Sequence, residues 1–62
     1  MCLSTVYKNS MDPDHVAMRN VMRIECEPGK VILTDLMERQ LVIEGQLARA
    51  DLVDGFVIVQ TN

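Results

Sequence analysis

A chain of 62 residues makes one small domain, spanning residues 1–62. Its net charge of −3 at pH 7 excludes a broad basic surface, and with it strong binding driven by nucleic-acid phosphates. A core of this size leaves only about 3–5 kcal/mol of net stability, and two cysteines close one disulfide at most, so a homodimer is the expected support.

The hydrophobic pattern has a period of two, punctuated by Gly and Pro. Leu3 to Tyr7 (Leu-Ser-Thr-Val-Tyr) is rich in strand-forming residues and predicts a first strand close to the N-terminus. Asn9 to Asp14 follows as a loop with room for one helical turn. A second strand begins near Val16 and alternates cleanly from Met22 to Glu27, which puts Met22, Ile24 and Cys26 on its apolar face. Pro28-Gly29 occupies the centre of a type II turn, with Gly supplying the positive φ.

Val31 to Thr34 reads as a short buried strand, Asp35 to Arg39 as a connection, and Gln40 to Glu44 as a fourth strand. Gly45 inside that run predicts a bulge or sharp bend continuing towards Leu52, although Gln46 to Asp51 also fits a helical turn. Asp54-Gly55 is a tight hairpin signal feeding the last strand, Phe56 to Gln60. Five short strands in hairpin order, one bent at a glycine, predict an all-β fold. The expectation is a small SH3-like barrel or half-barrel of about five antiparallel strands.

No apolar run approaches the length of a membrane span, the longest being Val31-Ile32-Leu33 and Phe56-Val57-Ile58-Val59. The first residues show no basic stretch followed by an apolar one, so the expected setting is cytoplasmic, with both thiols reduced.

Chemistry concentrates at Cys2. A cysteine there stands beside the terminal amine of Met1 and its own backbone nitrogen. With Met1 retained, amine, Cys2 amide nitrogen and Cys2 thiolate close two fused five-membered rings. With Met1 removed, amine and thiolate of one residue close a single ring. The competing reading is a small apolar residue on a strand, but core packers seldom sit at a chain end.

The other donors are weaker. Cys26 shares its face with Met22 and Ile24 and reads as a buried small hydrophobe. His15, the single imidazole, stands near Asp12 and Asp14 as a solvated loop residue, a metal ligand only if its loop folds towards Cys2. There is no CxxC pair and no second His, so no zinc pattern exists. The five methionines are scattered rather than clustered and serve as core fillers. Tyr7 and Phe56 are the only aromatics, a poor basis for stacking RNA bases, which makes an RNA-binding barrel the second-ranked reading. A Cys–His pair without a pocket gives no enzyme.

Two segments taken together narrow the field: Met1-Cys2-Leu3-Ser4-Thr5-Val6-Tyr7, of the form MC-x-x-x-VY, and Arg23 to Val31, of the form R-I-E-x-E-x-G-K-V. With them the chain resembles, over essentially its whole length, the CooT family of small nickel-binding proteins associated with carbon monoxide dehydrogenase maturation. The resemblance implies an SH3-like homodimer, a nickel-enzyme maturation partner, and Ni(II) held through the cysteine at position two, which is Cys2 here. A thiolate with an adjacent amine or amide nitrogen, doubled across a two-fold axis, suits square-planar Ni(II).

Overall fold

The computed structural model describes residues 3–62. Five strands follow in chain order: β1 (Ser4–Lys8), β2 (Val16–Glu27), β3 (Lys30–Asp35), β4 (Gln40–Asp51) and β5 (Phe56–Thr61). A single 3-10 turn, Pro13–His15, separates β1 from β2. Neighbouring strands pair in sequence order and the sheet closes on itself as a barrel.

All consecutive strands pair antiparallel, as the hairpin signals predict, but the closing pair β1–β5 is parallel. The reason is arithmetic. In an up-and-down chain of five strands the first and fifth run the same way, so an odd-numbered meander can close only through one parallel ladder. Thr5 lies opposite Phe56 and Lys8 opposite Val59 in that ladder. Asn9, just past β1, fastens the far end: its Oδ1 accepts from the Thr61 backbone N–H at 2.9 Å, and its Nδ2 donates to Thr61 Oγ1 at 3.0 Å.

The two 12-residue strands each serve two partners. β2 pairs with β1 up to Val21 and with β3 from Val21 onward. β4 pairs with β3 through Glu44 and with β5 from Gly45. The segment that also fitted a helical turn, Gln46 to Asp51, is therefore the second half of a bent strand, with a register slip between Leu47 and Arg49. At the bend Gly45 is buried against the last strand: a Cβ there would stand 2.9 Å from Thr61 Cα and from the Gln60 carbonyl carbon, and nearer still to the Gln60 carbonyl oxygen. Only hydrogen in place of a side chain lets the two backbones approach this closely.

The β2–β3 hairpin turns at Pro28-Gly29 with Gly29 at φ 79°, in agreement with the expected turn. The Asp54-Gly55 hairpin is wider than the two-residue turn expected: the connection runs from Leu52 to Gly55, closed by the Gly55 N–H donating to the Asp51 carbonyl at 2.9 Å. Asp51 Oδ1 also accepts from the backbone N–H groups of Val53 and Asp54, giving the turn an Asx-type cap that replaces the tighter geometry.

Inside the barrel Val6, Val21, Val31, Leu33, Ile43, Val57 and Val59 form one contiguous core. These are β-branched or branched aliphatic residues at alternate positions of their strands, so every strand contributes its inward face. The second strand departs from simple alternation. Val21 faces Asp35 and Arg23 faces Thr34, so Met22 is an extra residue in a bulge. In this half of β2 it is therefore Val21 and Ile24 that meet the core, not Met22.

Cys26 corrects a second expectation. It lies opposite Val31, a residue 1% exposed, yet Cys26 itself is an exposed free thiol. Direct cross-strand partners share a face, so orientation is not the cause. Among the described residues β1 begins at Ser4, opposite Val21, and supplies no neighbour to the outer half of β2, which leaves Cys26 uncovered at the hairpin end.

Candidate functional site

The two residues with the richest donor chemistry, Met1 and Cys2, lie outside the described residues. What the structure gives is the ground they join. Two residues after Cys2, Ser4 opens β1 opposite Val21, and the Thr5 N–H donates to the Gly55 carbonyl at 3.0 Å. Beside this entry is a shallow cavity of about 390 Å³ lined by Ser4, Val21, Met22, Arg23, Ile24 and Leu52. Its lining is mainly apolar, and the neighbouring turn presents Leu52 and Val53 to solvent, 79% and 96% exposed.

His15 sits elsewhere. It ends the 3-10 turn that Asp12 caps, with Asp12 Oδ1 accepting from the Asp14 N–H at 3.2 Å and the His15 N–H donating to the Asp12 carbonyl at 2.8 Å. This turn leads into Val16, which pairs with Tyr7 near the end of β1. The imidazole is exposed and is separated from Ser4 by the length of that strand, about 10 Å or more at ordinary strand rise. The barrel does not bring His15 to the N-terminal entry. Among the described residues no group of three His, Cys, Asp or Glu side chains could hold a metal ion.

The best-built polar feature lies in the Asp35 to Arg39 connection. Asp35 is 3% exposed at the end of β3, and its carboxylate organises the whole β3–β4 turn. Oδ1 accepts from the N–H groups of Met37 and Arg39, both at 2.9 Å, while Oδ2 accepts from Arg39 Nε at 2.8 Å. Burial alone pushes this carboxyl upward, but the Arg39 N–H, its guanidinium and the Met37 N–H together outweigh it, and the group is held below its ordinary 3.8. The visible signal in the sequence is Asp35 followed four residues later by Arg39, spaced for a one-turn cap.

The sign of the pH effect follows. A carboxyl whose folded value is depressed contributes stability above pH 3.8, and that contribution is lost as the pH falls through its folded value. Asp35→Asn is expected to lower the melting temperature at neutral pH and to flatten the acid limb of a stability-versus-pH curve. An unchanged acid limb in the variant, measured by circular dichroism, would show that other carboxylates govern it.

Compared with known proteins, the chain matches the family described as CO dehydrogenase accessory protein CooT over residues 1–60. The chain belongs to the CooT family. Membership rests on nearly the whole sequence, Cys2 included, and the family is one of accessory proteins rather than enzymes. The fold of this CooT-family chain also matches a crystal structure of a candidate CooT from Carboxydothermus hydrogenoformans, with a TM-score of 0.84 over 98% of both chains. Identity between the two is 16%, so that likeness speaks for the fold alone. Among curated proteins none matches.

The barrel offers little to the second-ranked reading, RNA binding. Phe56 is 8% exposed and Tyr7 is half-buried, so neither ring stands open as a stacking platform. No helix in the described residues is long and apolar enough to cross a membrane.

Proposed function

We propose that this chain is a cytoplasmic, homodimeric Ni(II)-binding accessory protein that carries nickel for a maturing enzyme, carbon monoxide dehydrogenase being the client its family indicates. Nickel here is cargo, and the Cys2 thiolate is its sulfur ligand. The observation that carries the reading is the family match across residues 1–60, which takes in the Met1-Cys2 start. The absence of a three-donor metal cluster among the described residues supports it, because it leaves the terminal dipeptide as the concentrated donor set.

The donors fit the ion. An amine or amide nitrogen and a thiolate form a strong in-plane field, which favours four-coordinate planar Ni(II). Two chains related by a two-fold axis supply two such pairs, giving one nickel per dimer. Copper(II) shares the preference and binds such sets more tightly, so selection for nickel rests on supply or on the partner. The reading leaves His15 out of the donor set, its turn lying at the other end of β1 from Ser4.

Titration with Ni(II), followed by thiolate-to-nickel charge-transfer absorption, tests the reading. Cys2→Ser is expected to abolish the band and weaken binding by about a hundredfold or more, since even an outer-shell partner of a ligand is worth about 10–100-fold. Because thiol and amide must shed protons to bind, affinity is expected to rise from pH 6 to pH 8 at roughly one proton per donor released. A Cys2→Ser protein that keeps the band and the affinity overturns the proposal. Native mass spectrometry of the same sample reads Met1 retention, dimer and nickel count together.

A further inference from the structure

Between the first half of β2 and the β3–β4 turn lies a groove of about 560 Å³ whose walls include Arg19, Asn20, Asp35 and Arg39. Three observations bear on what it holds. First, Val16 to Asn20 pairs with β1 on one side only, because β3 takes over as partner at Val21. The other edge of this stretch therefore offers backbone N–H and C=O groups, with the Asn20 carbonyl already accepting from the Leu36 N–H at 2.8 Å.

Second, Arg39 is held in place from behind. Its Nε donates to the buried Asp35 at 2.8 Å while the side chain as a whole is 75% exposed, so the terminal nitrogens of the fork face the solvent of the groove. A guanidinium fixed in this way has already lost the rotamer freedom that binding would otherwise cost. Third, the local charge runs against the chain. Arg19 and Arg39 line the groove, and the one carboxylate there, Asp35, is fully engaged by three hydrogen bonds. In a protein of net charge −3 this is a cationic groove.

We infer that the groove binds an extended, acidic peptide segment of a partner protein, which adds a strand to the open edge at Val16–Asn20 and places carboxylates on Arg19 and Arg39. An unpaired strand edge gives main-chain affinity, and flanking cations give the sequence preference. A lone anion would use the guanidinium groups but leave the edge unpaired. A nucleic acid would need more cations than two and an open aromatic ring, which the barrel does not present.

The test uses the full chain without metal, so its outcome is independent of the nickel reading. A fluorescein-labelled peptide Glu-Val-Glu-Val-Glu-Val-Glu, its Lys-for-Glu counterpart, oligouridylate and inorganic phosphate are each titrated in, with amide and Arg Nε shifts followed by NMR. The acidic peptide is expected to shift Ala17, Arg19 and Arg39, to weaken as salt rises from roughly 50 to 300 mM, and to outcompete the other three. Arg19→Gln with Arg39→Gln is expected to weaken it about tenfold, the loss of charge-assisted bonds worth roughly 1.4 kcal/mol. Arg39→Lys, which keeps the charge and loses the fork, is expected to fall between. Arg19→Gln alone, at an exposed position, keeps the test open if the double variant fails to fold. Equal response to the lysine peptide, or undiminished binding in Arg19→Gln and the double variant, overturns the inference. So does phosphate reproducing the full shift pattern, or oligouridylate displacing the peptide.

Discussion

Gly45→Ala is expected to remove most of the chain's stability. The added Cβ would run into the backbone of β5, with Thr61 Cα and the Gln60 carbonyl carbon at 2.9 Å and the carbonyl oxygen closer. A side chain could rotate away from such a clash; a strand ladder cannot move without breaking its hydrogen bonds. Overpacking of this kind costs about 3 kcal/mol, the upper part of its usual range. Against about 3–5 kcal/mol of total stability in a domain this small, that removes most of what there is. Gly29→Ala is the control, since nothing lies within 4 Å of its Cβ position and only the φ of 79° resists substitution, at about 1 kcal/mol. Urea unfolding of both variants checks the pair. A Gly45→Ala protein as stable as Gly29→Ala would mean that β4 and β5 can separate at the bend without loss.

The second large effect is Leu33→Ala. Leu33 is completely buried at the middle of β3, paired with Ile24 on one side and Leu41 on the other. The barrel wall is a hydrogen-bonded ring and collapses poorly around a void, so the cost belongs near the top of the range for such truncations, about 4 kcal/mol. Val42→Ala on the neighbouring strand, 54% exposed, is expected to change stability by less than about 0.5 kcal/mol. Thermal melts at two protein concentrations give both numbers and show at the same time whether stability depends on assembly. A loss below about 1 kcal/mol for Leu33→Ala would contradict the packing described.

Strand order, the Pro28-Gly29 turn and the bend at Gly45 were legible because each depends on local chemistry: alternation, a required positive φ, a missing side chain. What stayed hidden depends on partners distant in sequence. Cys26 alternates correctly to face inward, and nothing in its neighbours says that β1, among the described residues, stops short of covering it. The bulge at Met22 is equally silent, since both Met22 and Val21 are apolar and either could face the core; register with Asp35 and Thr34 decides it. Asp35 reads as a turn residue, and only three-dimensional burial reveals it as the anchor of Arg39. The parallel closure was available from counting strands. At the candidate metal centre, position two and its neighbouring nitrogens were visible in the sequence at once, because that chemistry is covalent and needs no fold.

The parallel seam between β1 and β5 has a kinetic meaning as well. It joins Thr5 to Phe56, the ladder with the greatest sequence separation in the molecule, and loops of that length are the slowest contacts to close. The hairpins β2–β3 and β4–β5 need only near neighbours, whereas β1 has no second flank until the last six-residue strand has been made. During synthesis the segment that follows Cys2 therefore waits for the end of the chain. Until then β1 is held by β2 alone, and the parallel seam is the last part of the wall to close.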